Sequence, residues 1–139
     1  MKSYQLKSGG KKQVKYPWGK ESINEGSPKA NTWEGNFPYE NKLKDQFFYT
    51  APVGSFESNP FGLFDMAGNV WEWCYNMYLP YEGNHQIFSD ELQGRAQRGG
   101  SFLCNPNYCY GFRLSARSAT SAESSLFHVG FRCVKNIAN

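Results

Sequence analysis

Two of the four cysteines in this chain of 139 residues, Cys104 and Cys109, have only four residues between them, within Arg98-Gly99-Gly100-Ser101-Phe102-Leu103-Cys104-Asn105-Pro106-Asn107-Tyr108-Cys109-Tyr110. Thiolates are soft ligands for Cu(I) and zinc, and they are also nucleophiles and redox centres. Gly99 and Gly100 let the backbone take positive φ or approach another group closely. Asn105-Pro106-Asn107 is turn chemistry, which puts the two sulfurs at the ends of a tight loop. Flanked by Phe102, Tyr108 and Tyr110, such a loop can serve as a reactive site. On spacing alone, an ordinary structural disulfide or two unrelated buried thiols is slightly favoured over a reactive site.

Hard oxygen ligands offer a second kind of chemistry. Asn31 and Asp45 are joined by a long aromatic loop, and Asp65 and Glu72 flank the Gly-rich turn of Asp65-Met66-Ala67-Gly68-Asn69-Val70-Trp71-Glu72. Calcium takes carboxylates and amides together with backbone carbonyls. Turn capping by Asn31 and Asp45 is the competing reading of the first pair, and the spacing favours it. For Glu72, whose setting is strongly apolar, a Lys or Arg partner competes, because an unpaired buried charge is costly.

The elements that must position these groups are short. Tyr16-Pro17-Trp18-Gly19 reads as a compact aromatic turn and a buried anchor. Residues 20–50 are polar and loop-like but carry Trp33, Phe37, Tyr39, Phe47, Phe48 and Tyr49, so the loop must be packed down. Short strands are expected at 51–56, 70–75, 112–117 and 129–134. Alternation through the second of these sets Trp71 and Trp73 on one face and Glu72 on the other. Residues 1–15 read as a flexible arm or loop, 76–97 as a surface loop, and 118–125 as a Ser/Thr/Ala-rich loop. Residues 16–139 form one domain without repeats.

Composition narrows the function classes. The aromatic share is 17% and the net charge +3, without a Lys/Arg stripe, which argues for a packed globular protein and against nucleic-acid binding. No apolar run reaches the ~20 residues of a membrane span, and the N-terminus has no signal-peptide core. Four cysteines are too few for a disulfide-built scaffold of this length. His85 and His128 have no metal spacing.

Four blocks resemble one family, the formylglycine-generating enzymes or sulfatase-modifying factors: Tyr16-Pro17-Trp18-Gly19; Ala51-Pro52-Val53-Gly54; Gly62 through Cys74; and Arg98 through Tyr110, followed by Arg113, Ala116-Arg117-Ser118 and Val129-Gly130-Phe131-Arg132-Cys133. The resemblance implies an α+β fold that is irregular, C-type-lectin-like and low in regular secondary structure, here truncated at its N-terminal side. It implies an oxidase that uses O2 and Cu(I) to convert a Cys in a Cys-x-Pro-x-Arg motif of an unfolded sulfatase into Cα-formylglycine. The family's copper-holding thiols match Cys104 and Cys109, and Cys109 matches the one that forms a mixed disulfide with substrate. Ser101 and Trp71 match residues lining the oxygen and substrate pocket, with Tyr108 and Arg117 beside it. Structural calcium sites match Asn31, Thr32, Asp45 and Phe47, and Asp65, Gly68, Val70 and Glu72.

As partners the resemblance implies the sulfatase polypeptide and a missing N-terminal half or second chain. As compartment it implies the cytoplasm. A non-catalytic lectin-like binding module on the same scaffold is the other reading. The chain departs from the family pattern at Gly111, where many members have Arg, at Leu114, where some have Cys, and in the loop Thr120-Ser121-Ala122-Glu123. Cys133 matches a cysteine that in some members pairs with one in the missing region.

Overall fold

The computed structural model describes residues 14–23, 25–79 and 94–135, and the regular secondary structure of those residues is one small sheet. Its strands are β1 (Trp71–Met77), β2 (Arg95–Arg98), β3 (Ser118–Thr120) and β4 (Val129–Gly130), in the order β3-β2-β1-β4. β1 and β3 both pair antiparallel with β2, while β4 runs parallel to β1, matching Trp71 with Val129 and Glu72 with Gly130. Everything else described is turn and extended loop, and no described helix is long and apolar enough to cross a membrane.

β1 forms where aromatic and β-branched residues cluster. The expected alternation holds, but its buried side carries the acid: Glu72 is buried, while Trp71 and Trp73 are half-buried. Arg132, just beyond β4, supplies the partner. Its Nε donates to both carboxylate oxygens of Glu72, at 2.9 and 2.7 Å, and its Nη2 donates to Oε1 as well. The remaining donors go to the carbonyls of Phe64 (3.1 Å) and Asp65 (3.0 Å). One guanidinium thus fastens β1, the tail of β4 and the 64–65 turn, as its five N–H groups allow.

Elsewhere the elements differ from expectation. Residues 51–56 and 112–117 are turns without ladder pairing. The strand after the thiol loop is Ser118–Thr120, in the stretch read as loop, and its ladder to Arg95–Gln97 sets it there. β2 reads Arg-Ala-Gln-Arg and shows no apolar alternation; Ala96 and Gln97 are buried because β1 and β3 flank them. The last strand is only Val129–Gly130. Residues 1–13 of the expected arm, and His85, lie outside the described residues.

The core gathers around Tyr16, Ile23, Ala30, Ala67, Cys104 and Phe112, with Trp18, Trp71 and Cys109 packed against it. The Tyr16–Gly19 turn closes on itself through reciprocal 3.0 Å backbone hydrogen bonds and stacks Tyr16 on Trp18, so the expected anchor is in place. At the centre sits Gly68-Asn69, with φ of +70° and +62°. Gly68 N–H donates to the Gly99 carbonyl (2.8 Å), Asn69 N–H to that of Asn31 (2.8 Å), and Phe102 N–H to that of Asn69 (2.9 Å). The Asn69 side chain bridges both backbone groups of Ala51, at 2.9 and 3.2 Å.

Gly68 is required twice over, because a Cβ there would lie 2.2 Å from the Asn31 carbonyl oxygen on a left-handed backbone. Gly54 has φ +80° but open space around its would-be Cβ. Gly68→Ala is expected to cost about 3–5 kcal/mol, as strain and overpacking add. Gly54→Ala should cost only the left-handed penalty, about 1–2 kcal/mol. Urea unfolding of both variants measures the difference, and equal losses would contradict the packing argument.

Candidate active site

The thiol loop is built from a turn held at both ends. Gly99 (φ +98°) and Gly100 (φ +74°) lead from β2 into it. Inside the loop, Asn105 does the work of a scaffold: its Oδ1 receives the Asn107 N–H (2.9 Å), and its backbone carbonyl receives that of Cys109 (2.8 Å). Asn105 Nδ2 donates to the carbonyls of Trp33 (3.0 Å) and Gly35 (2.9 Å), while Trp33 N–H donates to the Cys104 carbonyl (2.9 Å). The aromatic loop and the thiol loop are thereby locked together.

Within this frame Cys104 and Cys109 are joined as a disulfide with Cα atoms 5.1 Å apart, the closed alternative of the open readings above. Cys104 is buried and Cys109 half-buried. Ser101 is also buried; its N–H points at the Cys104 sulfur (3.5 Å), and its Oγ accepts from Leu103 N–H (3.3 Å). Phe112 lies in the core cluster with Cys104, and Trp71 and Cys109 pack against that cluster, while the buried Phe102 packs with Tyr49 and Phe127. Trp71, Ser101, Cys104 and Cys109 therefore come together.

Tyr108 hydrogen-bonds the Leu103 carbonyl and rests on Phe37 with ring centroids 5.2 Å apart; burial pushes its phenol up from the usual value. Arg117 lies over the ring of Tyr78, 4.6 Å from its centroid and just past the end of β1, whereas Trp71 stands at its start. Beside the loop opens a cleft of about 480 Å³, whose walls include Glu34, Asn36, Lys42, Lys44, Pro106 and Asn107.

The first oxygen set converges. Asp45 is buried and receives N–H groups from Thr32 (3.1 Å) and Phe47 (3.0 Å). Asn31 is buried too; its Nδ2 is taken by the Tyr49 carbonyl (2.7 Å), yet its Oδ1 has no partner. Burial raises the pKa of Asp45, and burial followed by the neighbouring Asp45 charge raises that of Glu34. A buried carboxylate held by the Thr32 N–H, and an orphaned amide oxygen on the preceding residue, have the donor chemistry a hard cation takes. At the second set the Asp65 carboxylate takes the Gly54 N–H (2.8 Å), and Arg132 engages both Glu72 oxygens. There a guanidinium already supplies the positive charge to Glu72, while it meets Asp65 at the backbone carbonyl. The described residues hold no group of three or more His, Cys, Asp or Glu placed for a metal.

Two residues that the sequence offered only as a motif position and a departure from the family pattern touch the site. Arg113 stacks 3.8 Å from the Tyr110 ring centroid, on the segment leaving Cys109. Gly111 lies directly under the Trp71 ring, a close approach that only the glycine itself could have signalled.

The family model described as "Sulfatase-modifying factor enzyme 1-like domain" matches residues 5–137. The chain is 38% identical over 133 residues to "Formylglycine-generating enzyme" of Thermomonospora curvata, covering 90% of this chain and 44% of that one. It is 32% identical over 132 residues to "Inactive C-alpha-formylglycine-generating enzyme 2" of Mus musculus, covering 92% and 39%. Among solved structures, PvdO from Pseudomonas aeruginosa superposes with a TM-score of 0.61 at 23% identity over 92% of this chain and 47% of that one. Treponema denticola variable protein 1 gives 0.59 at 24%, over 92% and 43%. These likenesses establish the expected irregular fold, and the chain spans less than half the length of these relatives.

The disulfide assignment has a direct check. Denatured without reductant, the chain should take up two equivalents of iodoacetamide, at Cys74 and Cys133, and four after reduction. Because the bridge closes so short a loop, reducing it should cost no more than about 2 kcal/mol in urea unfolding. Four labels before reduction would show that the pair is open.

Proposed function

The chain belongs to the sulfatase-modifying factor enzyme 1-like family, and we propose that it carries the thiol-bearing part of a formylglycine-generating oxidase, which converts a Cys in a Cys-x-Pro-x-Arg stretch of a sulfatase to Cα-formylglycine with O2. The observation that carries this reading is the convergence of Cys104, Cys109, Ser101 and Trp71 on one buried floor. Higher identity to an active relative (38%) than to an inactive one (32%) supports the same reading.

The donor set fits Cu(I): two soft sulfurs on one loop, without a third imidazole or carboxylate among the described residues. When bound between Cys104 and Cys109, copper would supply the O2 chemistry. The residues of the chain do the rest. Two external thiols reduce the disulfide in turn, the first forming a mixed disulfide and the second releasing it as the external disulfide, which leaves Cys104 as a thiol fixed in the core and Cys109 as a thiol on the more accessible side, open to an incoming substrate thiol. Ser101 N–H points at the Cys104 sulfur and helps hold it in place. Trp71 and Phe112, packed in the same cluster as Cys104, exclude water from the reacting sulfur. The polar cleft beside Pro106 and Asn107 leads an extended polypeptide to the loop.

We assign a structural calcium ion to Asn31, Thr32, Asp45 and Phe47, where it would satisfy the Asn31 amide oxygen and hold the aromatic loop against Asn105. The rest of the domain, in the same polypeptide or a second one, would cover apolar side chains that stand exposed here, among them Phe48, Tyr49, Phe127 and Phe131.

The deciding experiment is oxidation of a Cys-x-Pro-x-Arg peptide with Cu(I), O2 and an excess of a small thiol, followed by mass spectrometry, first with the chain alone and then with the remaining domain added. Aldehyde is expected, and Cys109→Ala should abolish it. A copper-loaded, complete domain that makes none would favour the non-catalytic binding module.

The calcium assignment has its own pH signature. Without metal, folded Asp45 and Glu34 hold their protons more tightly than the unfolded chain does, so stability falls as pH rises through the region just above the ordinary carboxylate values. A bound cation favours the ionised form and removes that loss. The gain in Tm from calcium over chelator should therefore grow from acid to neutral pH and vanish in Asp45→Ala. A melt indifferent to calcium at neutral pH would rule the site out.

A further inference from the structure

Trp71 and residue 111 compete for one space. A Cβ built on Gly111 would lie 2.4 Å from Cη2 and 2.6 Å from Cζ2 of Trp71, and 2.9 Å from the Gly100 Cα. Real Cβ atoms do not approach so closely, so the rim of the indole fills the volume that any other residue at 111 would claim. Gly111 has no positive φ, unlike Gly100 at +74°. Its φ would accept an alanine; what demands glycine is chiefly the ring above it, at 2.4 and 2.6 Å, with the Gly100 Cα at 2.9 Å a second and looser limit.

The indole is poorly placed to yield without moving relative to the thiols. Its backbone is pinned on two sides, with Trp71 N–H donating to the His128 carbonyl (2.9 Å) and β1 laddered to β2 and β4. Only the side chain is free to swing. Below it, Gly100 separates the ring from the sulfur: a Cβ on Gly100 would sit 3.4 Å from Cys104 Sγ and 3.2 Å from the Gly111 carbonyl carbon. Two bare glycines stacked back to back thus let a tryptophan lie within one backbone thickness of the disulfide. Gly111 is buried and Trp71 half-buried, so a displaced ring has solvent to move into, and Trp71 and Cys109 pack against the same core cluster.

We infer that Gly111 is a positioning residue for Trp71: the missing side chain at 111 seats the indole beside the Cys104–Cys109 loop and so sets access to Cys109. Its consequence for turnover rests on the oxidase reading, but the seating does not, and the test separates the two.

Incorporating 5-fluorotryptophan gives four 19F resonances, from Trp18, Trp33, Trp71 and Trp73, with Trp71 identified by its loss in Trp71→Leu. In Gly111→Ala the Trp71 resonance is expected to move while the other three stay. In the reduced chain the alkylation rate of Cys109 by iodoacetamide should change several-fold on Gly111→Ala when Trp71 is present, and far less in the Trp71→Leu background. A general loss of packing would not depend on the indole in this way. In a complete domain that oxidises the peptide, Gly111→Ala should lower kcat by up to about 100-fold, as misplacements near 1 Å do. An unmoved Trp71 resonance, or an alkylation change equal in both backgrounds, would overturn the inference. An inactive wild-type domain would instead count against the oxidase reading, leaving the resonance and the alkylation rates to decide the seating.

Discussion

A chain with so little ladder pairing has to satisfy its backbone by other means, and the fold depends on how it does so around Gly68-Asn69. Buried N–H and C=O groups left unpaired would each forfeit stability comparable to a lost hydrogen bond. Here asparagine side chains stand in for missing strands. Asn69 imitates a neighbouring strand toward Ala51, Asn105 does the same for Trp33 and Gly35, and Asn59 caps the Phe61 and Leu63 amides. The short amide is suited to this because it offers one acceptor and two donors close to its own backbone. The left-handed Gly68 and Asn69 let three loops meet at one point.

The same economy shapes the site. No long element delivers the two sulfurs; a loop does, and its precision comes from being tied to a second loop through Asn105 and to the core through Cys104 and Phe112. Buried charge is handled in two different ways within a short stretch of chain. Glu72 is neutralised internally by Arg132, a charge-assisted bidentate contact that also gathers two carbonyls. Asp45 receives only backbone N–H groups, and the Asn31 amide oxygen has nothing to bind. The first arrangement is complete in itself; the second has the character of half a coordination shell.

Much of this was legible in the residues. The close pairing of Cys104 and Cys109, the aromatic anchor at Tyr16–Gly19, the β character of Trp71–Cys74 and the need of Glu72 for a partner all follow from residue type and spacing. Arg132 was visible as a motif residue but not as that partner, because 60 residues separate the two and only tertiary placement joins them. β2 was missed for a related reason: Arg-Ala-Gln-Arg carries no apolar period, and the strand exists because its neighbours offer a ladder on both sides. Residues 112–117 alternate convincingly yet join no ladder: Leu114 N–H goes to the Lys15 carbonyl (3.0 Å), and the Leu114 and Ala116 carbonyls take the Arg98 guanidinium. The seat of Trp71 was out of reach because a glycine states that room is needed without saying what fills it.

The reach of the tying contacts has a kinetic consequence. Asn105 grips a carbonyl 72 residues earlier and Arg132 one 68 residues earlier, whereas few hydrogen bonds close local turns strong enough to persist alone. Loop closure over such distances must precede any reward from the contacts it permits, so folding belongs to the slow, high-contact-order regime. During synthesis the aromatic loop of residues 31–50 emerges well before Asn105 exists to hold it. For that interval its rings are exposed and adhesive, and the chain depends on dilution or a chaperone until its last third arrives.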